Sequence, residues 1–531
     1  MSQMSLKLTE SEQRRLARHA AASRGRARKL LRAQLLLLVN EGRSVAEAAS
    51  IVHTDEELAH RLIRTFRRLP RAKVRATTGL SRRWNRLRTW LGSAPPGFQN
   101  SSGRQVALDL LVVGVAAAIP MILVLRALLE GRMIMGNNDF GWHTQRGMNF
   151  SLIPFSPPSP HFLYPLLVRV FYLITSQVSL ALTVTVVLVG ARALAGGAIY
   201  AIARGRFSDG GPKLGRTAAI LTATCALLIE SPRVLLSGPR LGDGGAFLPL
   251  QAWFNPTALT ALPFGIIGAA LVVRYVDRAK RGQLGWRFQS LTLLVLLLAA
   301  LAKPSLTQGV VLVLPLWTLL YARDGMVSVW RVTWWVTSRL VVPLAAVSIW
   351  QIWFLSDPSR KFAHGGGGSV GWSPLTTAET WGLGKPAAWL ALLVPMIGIV
   401  VGGTAWLKRP KIVLLLFALA ATAAQVMLIA EKGARSSDGN LGWGAQLVYF
   451  LLAIEAIREL FASRRSAGEA HKTLNFRLVF AGLILVASLA SGLVVIYDGG
   501  IRESPCLRGM VSITHYNAAV PGGTYVAEEC A

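Results

Sequence analysis

Eleven apolar stretches recur between residues 105 and 497, each close to the length needed to cross a bilayer. Crossing about 30 Å of hydrocarbon takes roughly 20 helical residues, and no other constraint on this chain is as severe. The stretches run near 105–126, 179–203, 217–236, 257–276, 288–303, 305–322, 333–355, 386–407, 411–430, 441–457 and 476–497. A chain built this way must satisfy its backbone polar groups within helices or a closed barrel, and runs of this length point to helices. The expected fold class is all-α: a polytopic membrane protein with about eleven transmembrane helices. Composition agrees, with 52% hydrophobic and only 16% charged residues, which excludes an ordinary soluble enzyme and a disordered chain. The run 288–322 breaks at Lys303-Pro304-Ser305 and is read as a tight hairpin of two short helices.

A net charge of +31 looks foreign to such a protein until it is placed along the chain. The first 104 residues hold 22 Lys and Arg against 7 Asp and Glu, about half of the excess, before any apolar span begins. The rest lies in short loops: Arg204–Arg216, Asp277–Arg287, Arg323–Arg331, Lys408–Lys411 and Arg458–Lys472. The alternate loops, Glu130–Gln177, Arg233–Pro256, Asp357–Lys385, Glu431–Asn440 and the tail from Asp498, are mostly longer, mixed in charge and rich in Gly, Pro and aromatics. Basic residues collect on the cytoplasmic side. The pattern therefore predicts a cytoplasmic N-terminus and an extracytoplasmic C-terminus. Leu163–Ile174 is apolar but too short to cross. Counting it as a span would put the basic Arg204–Arg216 loop outside, so it is read as an interfacial helix within the first outer loop. The opening stretch Met1–Arg28 is polar and has no signal-peptide core. The Ala-, Gly-, Leu- and Arg-rich composition suggests a bacterial plasma membrane as the location.

Four regions follow: a cytoplasmic helical head over 1–75, a basic juxtamembrane linker over 76–104, a multi-span domain over 105–498, and an extracytoplasmic tail over 499–531. In the head, Gly42-Arg43-Ser44 reads as a turn and N-cap before Val45–Val52, and Thr54 as the cap of a helix over Asp55–Arg68. The stretch RKLLRAQLLLLVNEGRSVAEAASIVHTDEELAHRLIRTF resembles the helix-turn-helix of mariner-like insertion-sequence transposases. His53 stands where that family usually has glycine. Asp55-Glu56-Glu57 opens the helix whose N-terminal residues would meet DNA, and three carboxylates there repel phosphates. Nucleic acid is therefore not the expected partner; the lipid bilayer is.

The residues suited to chemistry cluster in the outer loops. The first carries NNDFGWHTQRGMNF, with Asp139, Trp142 and His143, and then PHFLYPLL, with His161 and Tyr164. Further on come FNPT, at Asn255, AKPS at Lys303, and EKGARSSDGNLGWG, with Glu431, Lys432, Arg435 and Trp443. An acidic residue just beyond the first span, followed by an interfacial PHFLYPLL helix, resembles the GT-C superfamily of integral membrane glycosyltransferases over about residues 105–498. The resemblance implies a polyprenyl-phosphate-sugar donor, a glycan, lipid or protein acceptor in the cell envelope, and catalysis on the outer face. Asn137-Asn138-Asp139 offers one carboxylate where a paired-acid motif would hold a metal. A single carboxylate base is thus favoured, with a divalent metal left open as cofactor.

The chemistry stands without the resemblance. Inverting sugar transfer needs a carboxylate to take the acceptor's proton, which suits Asp139, with His143 four residues on to orient it. The leaving phosphate needs cations, for which Lys303, Lys432 and Arg435 are the candidates. Trp142, Tyr164 and Trp443 suit sugar faces. Glu431 and Arg435, spaced i, i+4, are equally suited to pairing with each other. Lysine inside an apolar run marks a functional position unless it snorkels to the headgroups. Two other classes remain open: a transporter or flippase of a lipid-linked or polar solute, and a membrane-tethered regulator using the head. Cys506 and Cys530 both fall in the outer tail and are expected to form a disulfide there.

Overall fold

The computed structural model describes residues 35, 38–39, 43–52, 55–57, 59, 103–124, 139–153, 155–156, 159, 161–175, 180–206, 212–232, 234–235, 255–356, 370–375, 390–431, 442–463 and 471–497. The chain divides into two compact units, residues 1–87 and 88–531.

In the first unit one helix, α1 (Val45–Ile51), is described in full. Ser44 is its N-cap, as its sequence context predicts. The Ser44 hydroxyl accepts from the Glu47 backbone N–H at 3.2 Å, and the Ser44 N–H donates back to Glu47 Oε2 at 3.0 Å. This reciprocal pair satisfies two of the amides that a helix start leaves unbonded. The buried face of α1 (Val45, Ala48, Ala49) packs with Leu35, Val39 and Ala59 into a small apolar core. The following helix begins one residue later than expected. Asp55 takes a capping position: its carboxylate accepts from the Glu57 N–H at 2.6 Å and its carbonyl from the Ala59 N–H at 2.9 Å. Thr54 and His53 lie outside the described residues, as do all of 1–34 and 60–102.

The second unit is a helical bundle. Its helices are α2 (Gly103–Val124), α3 (Asp139–Met148), α4 (Leu163–Ile174), α5 (Leu180–Arg206), α6 (Pro212–Leu228), α7 (Pro256–Lys280), α8 (Trp286–Ala302) and α9 (Pro304–Tyr321). Then come α10 (Val329–Val336) and α11 (Val342–Ser356), joined by a π-helical turn, followed by α12 (Leu393–Leu407), α13 (Pro410–Leu428), α14 (Gly442–Ser463) and α15 (His471–Ile496). Two small antiparallel sheets complete it: β1 (Ser151–Leu152) with β2 (Phe155–Ser156), and β3 (Val370–Trp372) with β4 (Ile429–Glu431). Among the described residues seven helical segments are long and apolar enough to cross a membrane: Arg104–Leu123, Leu182–Gly205, Pro256–Lys280, Pro304–Tyr321, Val329–Phe354, Pro410–Leu428 and Phe476–Ile496. The protein is thus a helical multi-pass membrane protein. Four apolar helices are shorter, at Leu163–Ile174, Gly215–Leu228, Trp286–Ala302 and Leu393–Leu407. The stretch read as 217–236 leaves the helix after Leu228, where the Glu230 N–H turns aside to the Ser488 carbonyl on α15.

The helices run up and down, so their ends form two layers. At one end the links are ionic. Asp109 on α2 accepts from Tyr200 Oη on α5 at 2.5 Å and from Arg216 Nε on α6 at 2.6 Å. Tyr321 on α9 donates to Asp277 on α7 at 2.6 Å, and Lys280 reaches Asp324 at 2.6 Å. Arg409 clasps Glu459 with both terminal nitrogens, and Lys411 meets Glu455 at 2.5 Å, joining the start of α13 to the end of α14. At the other end the links are apolar. Met121, Tyr164, Val168, Val184, Leu188, Leu259 and Ile496 form one buried cluster from α2, α4, α5, α7 and α15.

Glycine decides how closely some helices approach. A Cβ on Gly444, at the start of α14, would lie 2.3 Å from the Ser305 carbonyl oxygen on α9. Gly403 adopts φ +57°, a break in α12 that brings buried Trp406 back over Gly398 and Gly402. Gly190 on α5, by contrast, faces open space.

Two predictions follow from these contacts. In thermal unfolding of the purified protein, Gly444→Ala should cost about 1–3 kcal/mol through forced backbone movement. Gly190→Ala should instead be neutral or gain about 0.5–1 kcal/mol, because it only removes unfolded-state freedom. In the first unit, the Ser44 backbone N–H, then the Ser44 side chain, holds the Glu47 carboxyl below its ordinary value of 4.5. A depressed carboxyl stabilises above that value and loses its contribution as pH falls through the folded value. Hydrogen exchange of amides 45–51 in the full chain should be slower in wild type than in Glu47→Gln at pH 6. That gap should close below pH 4.5.

Candidate functional site

The described residues between α2 and α5 build a folded unit, not a loose connection. α3 starts at Asp139, so its first turn carries the proposed carboxylate and its second carries His143 and Thr144, both buried. Gly147 sits at the crossing with α4: a Cβ there would lie 3.0 Å from the Pro165 carbonyl oxygen and 3.1 Å from Val168. That close crossing brings Thr144 Oγ1 within 3.0 Å of Tyr164 Oη. The β1–β2 hairpin then turns the chain back, with Phe150, Phe155 and Phe162 packed edge to face and Trp350 of α11 against Phe162 at 6.2 Å.

Within this unit three of the predicted residues converge. The His143 and His161 rings are 5.1 Å apart, and His143 and Tyr164 are 6.4 Å apart, both in edge-on geometry. Tyr164 is fully buried, and burial pushes its phenol well above the ordinary value, so it stays neutral and acts through its hydrogen bond. One helical turn separates Asp139 from His143. The side chains of Asp139 and Trp142 lie outside the described residues.

A second patch forms where α8, α9 and α14 meet. Lys303 is the single non-helical residue between α8 and α9, at φ −150° and ψ 100°, and Pro304 opens α9 directly after it. This is the hairpin expected from Lys303-Pro304-Ser305. The Lys303 side chain is 3% exposed and its ammonium lies 5.2 Å from the centre of the Trp443 ring. An ammonium over an indole face is held by the ring quadrupole while its charge still projects beyond it. Close approach of Gly444 to Ser305 fixes the two helix starts together.

Some predicted residues turn out differently. Asn255 of FNPT is a helix cap: its side chain accepts from the Ala258 N–H at 3.0 Å and from the Thr257 hydroxyl at 2.6 Å. Glu431 lies in strand β4, paired with Val370, so the helical i, i+4 relation to Arg435 does not hold at its first residue. Lys432, Arg435, Cys506 and Cys530 lie outside the described residues. Among the described residues no group of three or more His, Cys, Asp or Glu is placed to hold a metal ion. His143 and His161 supply two nitrogen donors at most.

Sequence reasoning missed Thr144, whose only signal was its place one residue after His143. It also missed the polar wall behind Trp443. Gln446 and Tyr449 follow at three-residue intervals on α14, both buried, and Tyr449 lies within electrostatic reach of Glu230. Glu230 Oε1 accepts from the Ser231 N–H at 2.9 Å. Neither a family model nor a curated protein matches this chain.

The Thr144–Tyr164 bond can be tested by itself. Tyr164→Phe or Thr144→Val alone should each cost about 1–3 kcal/mol in thermal unfolding, since each leaves a buried hydroxyl or its site unmatched. The double variant should cost less than the sum. Strict additivity would show that the two hydroxyls are not coupled.

Proposed function

We propose that this protein is an integral membrane glycosyltransferase of GT-C type, moving a sugar from a polyprenyl-phosphate donor to a cell-envelope glycan, lipid or protein. One observation carries the reading: the segment after the first span folds as α3 crossing α4, with Asp139 at its start and the His143–His161–Tyr164 group one turn later. A lipid-linked donor keeps its chain in the bilayer and its phosphate near the headgroups. The chemistry then has to lie at a helical end of the bundle, against the membrane surface.

Roles follow from the chemistry. Asp139 accepts the proton of the acceptor hydroxyl, whose oxygen forms the new bond to the anomeric carbon. The carbon–oxygen bond to the lipid phosphate breaks, and the phosphate leaves with that electron pair. His143 positions Asp139. Lys303 offsets the charge that develops on the phosphate, and Trp443 and Tyr164 border the sugar. Lys432 and Arg435 are further phosphate ligands, and Glu431 and His161 are further substrate contacts. No step requires a metal.

We read α6, α8, α12 and α14 as crossings alongside the seven longer segments, which makes eleven. The ionic end is then cytoplasmic and carries the N-terminus, and the α3–α4 end faces outward in a bacterial plasma membrane. The acidic start of the helix after Asp55 favours a docking or purely structural head over one that binds DNA.

The test is transfer from a panel of radiolabelled polyprenyl-phosphate sugars by the purified protein in lipid. Asp139→Asn should lower the rate by about 10²–10⁴-fold. Lys303→Gln should lower turnover by about 10²-fold. Full activity in Asp139→Asn would remove it as the base. No transfer from any donor, with solute uptake into vesicles instead, would make the protein a transporter.

A further inference from the structure

Three cations pair with two carboxylates at the ionic end of the bundle, where α7, α13 and α14 come together, and a fourth cation stands near them. Glu455 is 1% exposed and takes Lys411 on one oxygen and Arg458 on the other. Glu459 is held by Arg409 in a two-pronged pair. Arg274, one and a half turns before the end of α7, lies within electrostatic reach of Lys411, as does Arg458. Arg409 in turn reaches Glu455. Within this group of six side chains the cations outnumber the carboxylates by two.

The place of the excess matters more than its size. Arg409, Lys411 and Arg458 are largely covered, with side-chain exposures of 26%, 16% and 12%. Arg274 is different: it is exposed on the outer surface of α7, inside the apolar segment Pro256–Lys280. Its guanidinium is partly covered, at the surface of a segment long and apolar enough to cross a membrane. It is costly there unless an anion meets it. Lys411 lies one residue inside the start of α13, where Pro410 is the first helical residue and the helix dipole is positive. Cations from three helices and a helix start thus converge at one place in the bundle.

We infer that the surface formed by Arg274 with Lys411 and Arg458 binds a phosphate group, presented by an anionic phospholipid headgroup or by soluble phosphate. Arg274 supplies the outer contact with its planar donor fork, suited to two phosphate oxygens. Lys411 and Arg458 supply the positive field behind it. Glu455 keeps those two side chains fixed, so the site is preformed. The place of Arg274 at the surface of that apolar segment favours the headgroup as the source. This site lies at the opposite end of the bundle from Lys303 and is independent of any transferase activity.

Native mass spectrometry of the full protein in detergent tests it, with phosphatidylglycerol, phosphatidylcholine and inorganic phosphate as separate probes. Arg274→Gln is the variant, because Arg274 is exposed and its loss leaves the Glu455 and Glu459 pairs intact. Arg331→Gln, an exposed cation on α10, is the control for general surface charge. Wild type should retain phosphatidylglycerol over phosphatidylcholine. Arg274→Gln should weaken that retention by about fivefold, as expected for one headgroup-facing cation, and Arg331→Gln should leave it unchanged. Displacement of the lipid by millimolar inorganic phosphate would identify a general phosphate site, and resistance to it a headgroup site. Equal retention in wild type and Arg274→Gln, an equal loss in Arg331→Gln, or no preference for the anionic lipid would each overturn the inference.

Discussion

Hydrocarbon offers a backbone amide no partner, and the rest of this structure depends on that constraint. It forces the chain into helices wherever it is apolar for long, and it decides where helices can be broken. The breaks occur where other groups take over the bonding. At Lys303 the backbone N–H still bonds to the Ala299 carbonyl, and Pro304 begins α9 with no N–H to satisfy. Past Leu228 the Glu230 N–H finds the Ser488 carbonyl. In the long segment from Val329 to Phe354 a π-helical turn adjusts the phase, and Arg339 within it donates to Gln289 of α8 at 2.9 Å.

The same constraint explains how much of the architecture the sequence discloses. Apolar length alone located every long segment, and Lys303-Pro304 located the break between α8 and α9. The interfacial reading of Leu163–Ile174 rested on length and loop charge, and the helix has those bounds. Ser44 was legible as a cap because capping is local, a matter of one residue and its next three. The capping bonds of Asp55 were not foreseen, since Thr54 and Asp55 both offer a suitable oxygen. Propensity does not rank neighbours that similar.

Pairing across the bundle was not legible. Asp109 is 107 residues from Arg216 and 91 from Tyr200, and nothing in the local pattern of either side chain names the other. Glu455 stands in an apolar run with nothing nearby in sequence to name its partner; Lys411 lies 44 residues away on another helix. The candidate site shows the same division. His143, His161 and Tyr164 were found by residue type within one loop, and they do converge. The FNPT motif had the look of chemistry, yet its asparagine caps α7 and its proline begins it. Gln446 and Tyr449 were overlooked because polar residues three apart in an apolar helix resemble packing until a buried neighbour such as Glu230 is placed beside them.

The two ends of the bundle are held by interactions of different cost. Removing one partner of a covered ion pair, as at Asp109 or Glu455, leaves a charge with no counterion and costs about 3–5 kcal/mol. The opposite end is held by apolar contacts around Tyr164 and Leu259 and by single hydrogen bonds between neutral groups. An apolar contact there can be exchanged for one of similar volume at less than about 1.5 kcal/mol. Sequence variation and rearrangement are therefore cheaper where α3, α4 and the small sheets sit. That is also the end where His143, His161 and Tyr164 come together. A scaffold fixed by charge at one end leaves the other end open to variation.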